Sequence, residues 1–269
     1  MEFKNAKGMA IPSIGLGTWQ LKGNECEKAV ANALEMGYRH IDTAEMYENE
    51  ERVGNGITNA DVDREDIFLT TKVWRTNLEP DSVRKALEGS LEKLETDYVD
   101  LLLIHWPNEN MPVKKTLDAM HELVDEGRVR NIGVSNFTTE LLDEALDADE
   151  EIKANQVEKH IHHQQGQMTE YCQENDLVLT AYSPLARGRA SEEVLMEEIG
   201  ENHGKTAVQV ALRWLVQQEN VVAIPKAAPE DYQRENLDVF DFELSEEDME
   251  QIEDLEKNKR YVDPGFAPW

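Results

Sequence analysis

Tyr38-Arg39-His40-Ile41-Asp42, Ile67-Phe68-Leu69-Thr70-Thr71-Lys72 and Val99-Asp100-Leu101-Leu102-Leu103-Ile104-His105 are three short runs that each end on a chemically competent residue. Each run reads as a β-strand. Asp42, Lys72 and His105 therefore sit at the C-terminal ends of successive strands. In a barrel of parallel strands that end carries the active site. Tyr47 follows Asp42 inside the first of the three strand-to-helix connections. A phenol, an ammonium, a carboxylate and an imidazole on one rim form a proton-transfer set. A neighbouring ammonium favours a phenolate, so Lys72 is expected to lower the Tyr47 pKa, with Asp42 holding Lys72 charged. His105 is placed to donate a hydrogen bond to a substrate oxygen as charge develops on it. Each residue alone also fits a buried Asp–Lys pair and a core histidine. Four of them at successive strand ends favour a site.

Outward from these runs the same alternation fills the chain. An opening strand lies near Ile14–Trp19. Later strands lie near 129–134, 153–157, 178–182 and 221–224. Amphipathic helices are predicted over 26–36, 50–59, 80–94, 113–125, 139–146, 165–174, 192–201, 207–217, 230–237 and 246–256. Pro80 opens one, and Gly37 and Gly127 stop two others. Eight strands separated by helices imply βαβ units and a (β/α)8 TIM barrel. An open doubly wound sheet would carry Gly-x-Gly-x-x-Gly after its first strand. Here Gly15-Leu16-Gly17 continues as Thr18-Trp19-Gln20, without the third glycine. No linker divides the chain, so residues 1–269 read as a single domain. Residues 2–11 are expected to form a hairpin that turns at Lys7-Gly8 and caps the barrel floor.

Composition narrows the partners. The 56 Asp plus Glu against 27 Lys plus Arg give a formal charge of −29. Such a surface repels nucleic-acid phosphates and anionic membranes. No apolar run is long enough to span a bilayer. The N-terminus lacks the apolar core of a signal peptide. Cys26 and Cys172 are far apart without metal spacing, which suits a reduced cytoplasm. The acidic residues cluster on predicted helices (Glu192, Glu193, Glu197, Glu198; Glu246, Glu247, Asp248, Glu250, Glu253) and read as solvated outer faces. So acidic a domain suffers self-repulsion at low salt. A salt-rich, halophilic cytoplasm and a monomer are expected.

The segment Gly37–Glu50, with Asp42-Thr43-Ala44 and Tyr47-Glu48-Asn49-Glu50, resembles the best-known signature of the aldo-keto reductases. Ile132-Gly133-Val134-Ser135-Asn136-Phe137, Asn155-Gln156-Val157-Glu158, Ala181-Tyr182-Ser183-Pro184-Leu185 and Ile224-Pro225-Lys226 are similar to four more of its motifs, in the same order. The resemblance runs from about Met9 to Leu255 and is nearest the prokaryotic branch that reduces diketogluconate, methylglyoxal and other aldehydes. It implies carbonyl reduction by NADPH or NADH on a barrel without a Rossmann domain. It also implies residue roles. Tyr47 is the proton donor, Lys72 and Asp42 tune it, and His105 orients the carbonyl. Ser135, Asn136 and Gln156 hold the nicotinamide carboxamide, and Tyr182 stacks on its ring. Ser183 and Leu185 contact the pyrophosphate, Lys226 the adenosine phosphate, and Glu235 and Asn236 lie near the adenine. Trp19, Trp74 and Trp106 wall the substrate pocket.

Two departures stand out. The serine and arginine that contact the extra phosphate of NADPH in the family are Ala227 and Tyr232 here. Without the arginine fork, only a modest NADPH preference is expected, with NADH also used. Arg234 is near in sequence but faces another side of its helix. The second departure is Lys159-His160-Ile161-His162-His163, where the family has an aromatic, a histidine and a proline. A zinc-binding cluster, and with it a metal-dependent barrel hydrolase, is one alternative. A redox-sensing, cofactor-binding module that acts through a partner is another. No metal is expected.

Overall fold

The computed structural model describes residues 2–269. Its central sheet has eight parallel strands in chain order: β3 (Leu16–Gly17), β4 (His40–Asp42), β5 (Phe68–Val73), β6 (Leu101–Ile104), β7 (Ile132–Ser135), β8 (Ile152–Glu158), β9 (Val178–Tyr182) and β10 (Val221–Ala223). The first and last strands meet. Gly15 N–H donates to Ala223 O at 2.9 Å, Ala223 N–H to Ser13 O at 2.9 Å, and Gly17 N–H to Pro225 O at 3.1 Å. A Cβ on Gly17 would lie 2.7 Å from the Ile224 carbonyl oxygen, so only glycine permits this approach. The result is the expected (β/α)8 barrel.

Among the described residues ten α-helices surround it: α1 (Gly23–Met36), α2 (Glu50–Asn59), α3 (Pro80–Leu94), α4 (Val113–Asp125), α5 (Thr139–Ala148), α6 (Gly166–Glu174), α7 (Val194–His203), α8 (Ala207–Gln217), α9 (Glu230–Leu237) and α10 (Glu246–Glu253). Pro80 opens α3, where its missing N–H costs nothing. Gly37, at φ 109°, ends α1. Several boundaries move by one to three residues, α5 and α7 among them. α1 starts a turn early, and α10 stops at Glu253 rather than Glu256, one residue past its only buried side chain, Ile252. Most of the acidic helix residues are exposed, as expected. Glu193 and Asp248 are half-buried, the first beside His162 and Lys257, the second accepting from the backbone N–H of the N-cap Ser245.

β1 (Phe3–Ala6) and β2 (Met9–Pro12) form the antiparallel hairpin, and Lys7 and Gly8 turn it with φ of 45° and 77°. Positive φ at both turn residues matches the twist of the paired strands. Ala6, Met9 and Ile11 pack on Phe68, Leu101, Leu103, Ala154, Val178 and Val222. These belong to the lower parts of five strands, so the hairpin plugs the floor. A second, larger apolar cluster fills the space between sheet and helices.

Candidate active site

Strand register builds the site. Asp42 pairs with Thr70, and Lys72 lies two residues further along β5, so both side chains leave the same face. Val73 pairs with Ile104, and His105 N–H donates to Val73 O at 3.0 Å, which sets His105 just past the end of β6. Tyr47 closes a short 3-10 turn, Glu45–Tyr47, over the same rim. That turn is fixed from below by buried Asn49, whose amide donates to the Thr18 and Leu21 carbonyls at 2.8 and 3.1 Å.

The four residues converge. Lys72 Nζ donates to Asp42 Oδ1 at 2.6 Å, to Thr43 O at 2.8 Å and to Tyr47 Oη at 3.4 Å. Asp42 Oδ2 accepts from Gln156 Nε2 at 2.7 Å. The Lys72 and Asp42 side chains are fully buried. Desolvating such a pair is tolerated because each charge is hydrogen-bonded on more than one side. The His105 ring meets Tyr47 edge-on at 5.5 Å and Trp74 at 5.2 Å, and its Nδ1 has no partner among the described residues.

The electrostatics correct one expectation. The Tyr47 phenol is pushed well above its ordinary range, by burial first and by the Asp42 carboxylate second, rather than lowered by Lys72. Depth of burial dominates, and the Lys72 charge, which lies against Asp42, does not offset it. Burial lowers the Lys72 pKa, and Asp42 opposes that. Burial, then the Lys72 charge, depresses His105 well below its usual range, so its ring is neutral. The Tyr47 phenol therefore keeps its proton and holds it more tightly than in water.

A cavity of about 760 Å³ opens onto this group. Asp42, Tyr47 and His105 line it, with Trp19, Trp74 and Trp106, and so do Ser135, Asn136, Gln156, Tyr182, Ser183, Leu185 and Lys226. Ser135 Oγ donates to Gln156 O at 2.8 Å, Asn136 Nδ2 to His105 O at 3.0 Å, and Tyr182 Oη to Asn136 Oδ1 at 2.8 Å. These side chains are locked in place before any ligand arrives. Exposed Lys226, unpaired among the described residues, and Arg187 are cations on a cavity wall in a strongly acidic chain. An aromatic face, two amides and two cations suit a nicotinamide ring, its carboxamide and phosphates. Glu235 and Asn236 do not line this cavity. Glu235 accepts from Thr206 Oγ1 at 2.7 Å, and Asn236 is buried.

A family model described as the aldo/keto reductase family matches residues 13–257. The chain belongs to the aldo/keto reductase family. A glyoxal reductase of Bacillus subtilis is 44% identical over 256 residues, covering 94% of this chain and 92% of that protein. A methylglyoxal reductase, DkgB, of Escherichia coli O157:H7 is 39% identical over 265 residues, covering 97% and 99%. The crystal structure of a putative 2,5-diketo-D-gluconic acid reductase B superposes with a TM-score of 0.97 at 40% identity, over 99% of this chain and 96% of that one. This aldo/keto reductase is an NAD(P)H-dependent enzyme that reduces carbonyls to alcohols.

The reductase cavity also holds residues that the sequence pattern does not mark. Tyr261, Val262, Asp263, Pro264 and Phe266 form part of its wall. They follow the last helix, where no strand or helix period exists to read. Glu45 was legible only as part of a signature. It accepts from Trp74 N–H at 2.9 Å and from Asn77 Nδ2 at 2.6 Å, tying the Tyr47 turn to the Trp74 loop. Among the described residues no group of three or more His, Cys, Asp or Glu side chains is placed to hold a metal. His160 instead faces Glu158, and His162 faces Glu193 and the C-terminal Tyr261, while neither ring nitrogen of His163 has a partner among the described residues.

Proposed function

We propose that Tyr47 is the proton donor of this reductase, with Lys72, Asp42 and His105 as its support. One observation carries the reading: a single buried ammonium bonds Asp42, the Thr43 carbonyl and the Tyr47 phenol at the edge of the cavity. When bound, the reduced nicotinamide supplies a hydride to the carbonyl carbon. Tyr47 Oη gives its proton to the carbonyl oxygen. Lys72, 3.4 Å away, stabilises the phenolate as it forms, and Asp42 and Gln156 hold Lys72 in place. Neutral His105 positions the carbonyl oxygen beside Tyr47. Ser135, Asn136 and Gln156 would hold the carboxamide, Tyr182 the ring, and Ser183, Leu185 and Lys226 the phosphates. Trp19, Trp74 and Trp106 would enclose a small aldehyde or ketone, in line with relatives named for glyoxal, methylglyoxal and diketogluconic acid.

NADPH is the preferred cofactor in this reading, by a modest margin over NADH. Lys226 remains to meet a 2′-phosphate, whereas Ala227 is buried and Tyr232 is exposed. Arg234 shares a surface hollow with the carboxylates of Asp231, Glu235 and Asp238. The chain works as one unit over residues 1–269, as a monomer, in a reducing, salt-rich cytoplasm. Two free buried cysteines and the −29 charge support that setting.

The test is loss of absorbance at 340 nm with glyoxal, methylglyoxal and diketogluconate, each with NADPH and NADH at low and molar salt. Turnover with none of these carbonyls would refute the substrate class. Tyr232→Arg should raise the NADPH to NADH ratio of kcat/KM about tenfold, through a new arginine–phosphate contact. A wild type that already excludes NADH a thousandfold would show that another group reads the phosphate.

A further inference from the structure

The segment that the reductase chemistry leaves unused is the histidine-rich run after β8, together with the glutamate that precedes it. The Glu158 carboxylate is fully buried. Its Oε1 lies 3.0 Å from His160 Nε2 and accepts from the Tyr261 backbone N–H at 2.7 Å, and its Oε2 accepts from the Val262 N–H at 2.9 Å. The His162 carbonyl accepts from the N–H groups of Lys257 and Lys259 at 3.3 and 2.9 Å, and His162 Nδ1 lies 3.0 Å from Tyr261 Oη. One strand end therefore grips a stretch of chain about a hundred residues away.

That stretch has no regular structure of its own after α10. Its backbone N–H groups have no ladder to join, and a buried carboxylate takes two consecutive ones. Such charge-assisted bonds are strong where water is excluded. Burial works against the Glu158 charge, but the His160 ring and the two N–H groups outweigh it and hold the carboxyl below its usual range. Immediately beyond the grip the chain becomes cavity wall. Phe266 meets Trp74 and Trp106 edge-on at 5.8 and 5.4 Å, and Trp269 meets Trp106 at 5.5 Å. The wall is thus held by aromatic contacts at its far end and by Glu158 at its near end.

We infer that Glu158, braced by His160, is a positioning residue that docks residues 261–266 over the cavity and so determines which carbonyls the reductase accepts by size. The inference rests on reading the cavity as the carbonyl site. Glu158 touches neither substrate nor the Tyr47 group. A small dicarbonyl seats beside Tyr47 and His105 without the wall, whereas an aromatic aldehyde needs the wall to be in place.

Full-length Glu158→Gln keeps the shape and one acceptor but sets an amide N–H₂ against a backbone N–H. Two readouts test it: amide hydrogen exchange across residues 257–269, and kcat and KM for methylglyoxal and 4-nitrobenzaldehyde. The expected result is at least about tenfold faster exchange in the tail, with the barrel strands unchanged. KM for 4-nitrobenzaldehyde should rise about tenfold with kcat nearly constant, while kcat/KM for methylglyoxal stays within about twofold. Glu158→Asp, which keeps the charge, should recover part of the loss. Unchanged tail exchange, or equal losses for both carbonyls, would overturn the inference. Should Glu158→Gln not fold, Phe266→Ala decides: it must shift the ratio of kcat/KM between the two carbonyls in the same direction, and an unchanged ratio overturns the inference. Failure of the carbonyl reading would look different. Wild type would then turn over neither compound, while the exchange measurement would still report on the latch.

Discussion

At the floor of the barrel, Phe68, Leu101, Ala154 and Val178 close on Ala6, Met9 and Ile11 of the hairpin. Two to four residues further along the same strands, the rim carries Lys72, His105, Gln156 and Tyr182. At the rise of an extended strand that is a step of only about 7–13 Å. Both sets face inward, because side chains two or four apart leave a strand on the same side. The floor is buried and apolar, and that burial contributes stability. The rim buries an ion pair whose desolvation opposes folding and which is tolerated because every charge has partners. The contrast fits a division of labour along each strand: the lower residues hold the barrel closed, and the upper residues carry the proposed chemistry.

Four measurements can break or sharpen that division. The largest effect is expected at the rim. Tyr47→Phe should lower carbonyl reduction by about 10²–10⁴-fold, the usual contribution of a general acid, with the melting temperature nearly unchanged. A variant that keeps more than about a tenth of wild-type turnover would remove Tyr47 from its role, given that contribution.

Lys72→Met comes next. It should reduce the rate about as much as the tyrosine variant, because the forming phenolate loses its counter-charge. The double variant should be little slower than either single one, since residues acting as a unit are not additive. Unlike Tyr47→Phe, it should also cost about 3–5 kcal/mol of stability, because Asp42 is left buried with Gln156 alone. Losses that multiply in the double variant would mean that the two residues act independently.

The floor should behave the opposite way. Ile11→Ala removes a fully buried side chain of the hairpin and should cost about 2–5 kcal/mol in urea unfolding, with kcat per folded molecule unaltered. A fall in kcat of the still-folded variant would show that floor and rim are coupled.

The smallest effect lies between the two levels, at His40. Burial holds this ring neutral, with its pKa pushed down to about 4 from 6.5. The unfolded chain therefore binds an extra proton between those values, and stability is lost as pH falls through that window. The slope is at most about 1.4 kcal/mol per pH unit. His40→Gln should flatten the dependence of unfolding free energy on pH in that range by this amount. Parallel curves for variant and wild type would mean that the ring finds water in the folded state.

Much of the reductase was legible beforehand, and the parts that were not have a common cause. The strand runs at Asp42, Lys72 and His105, the Pro80 and Gly37 signals and the Lys7-Gly8 turn are all local patterns, and each appears within a residue or two of where it is expected: β4 ends at Asp42, β5 one residue past Lys72 and β6 one residue before His105. The helix expected over 192–201 runs over Val194–His203, because residues 186–192 form a kinked 3-10 stretch of their own ahead of it. The Tyr47 phenol lies above its ordinary range rather than below it because depth of burial and the pairing of Lys72 with Asp42 are properties of the fold, not of any local pattern.

The sequence by itself determined the order of strands and helices, the rim residues and the family, because period, turn chemistry and motif spacing are written within a few residues of each other. Only the tertiary structure decided which groups meet across the barrel. Gln156 reaches Asp42 from 114 residues away, and Tyr261 N–H reaches Glu158 across 103. The same holds for the tail residues that wall the cavity, which carry no periodicity. Closing such long loops is an entropic matter settled by the whole fold, so no local pattern records these contacts, and yet they hold Lys72 in place and shape the space beside Tyr47.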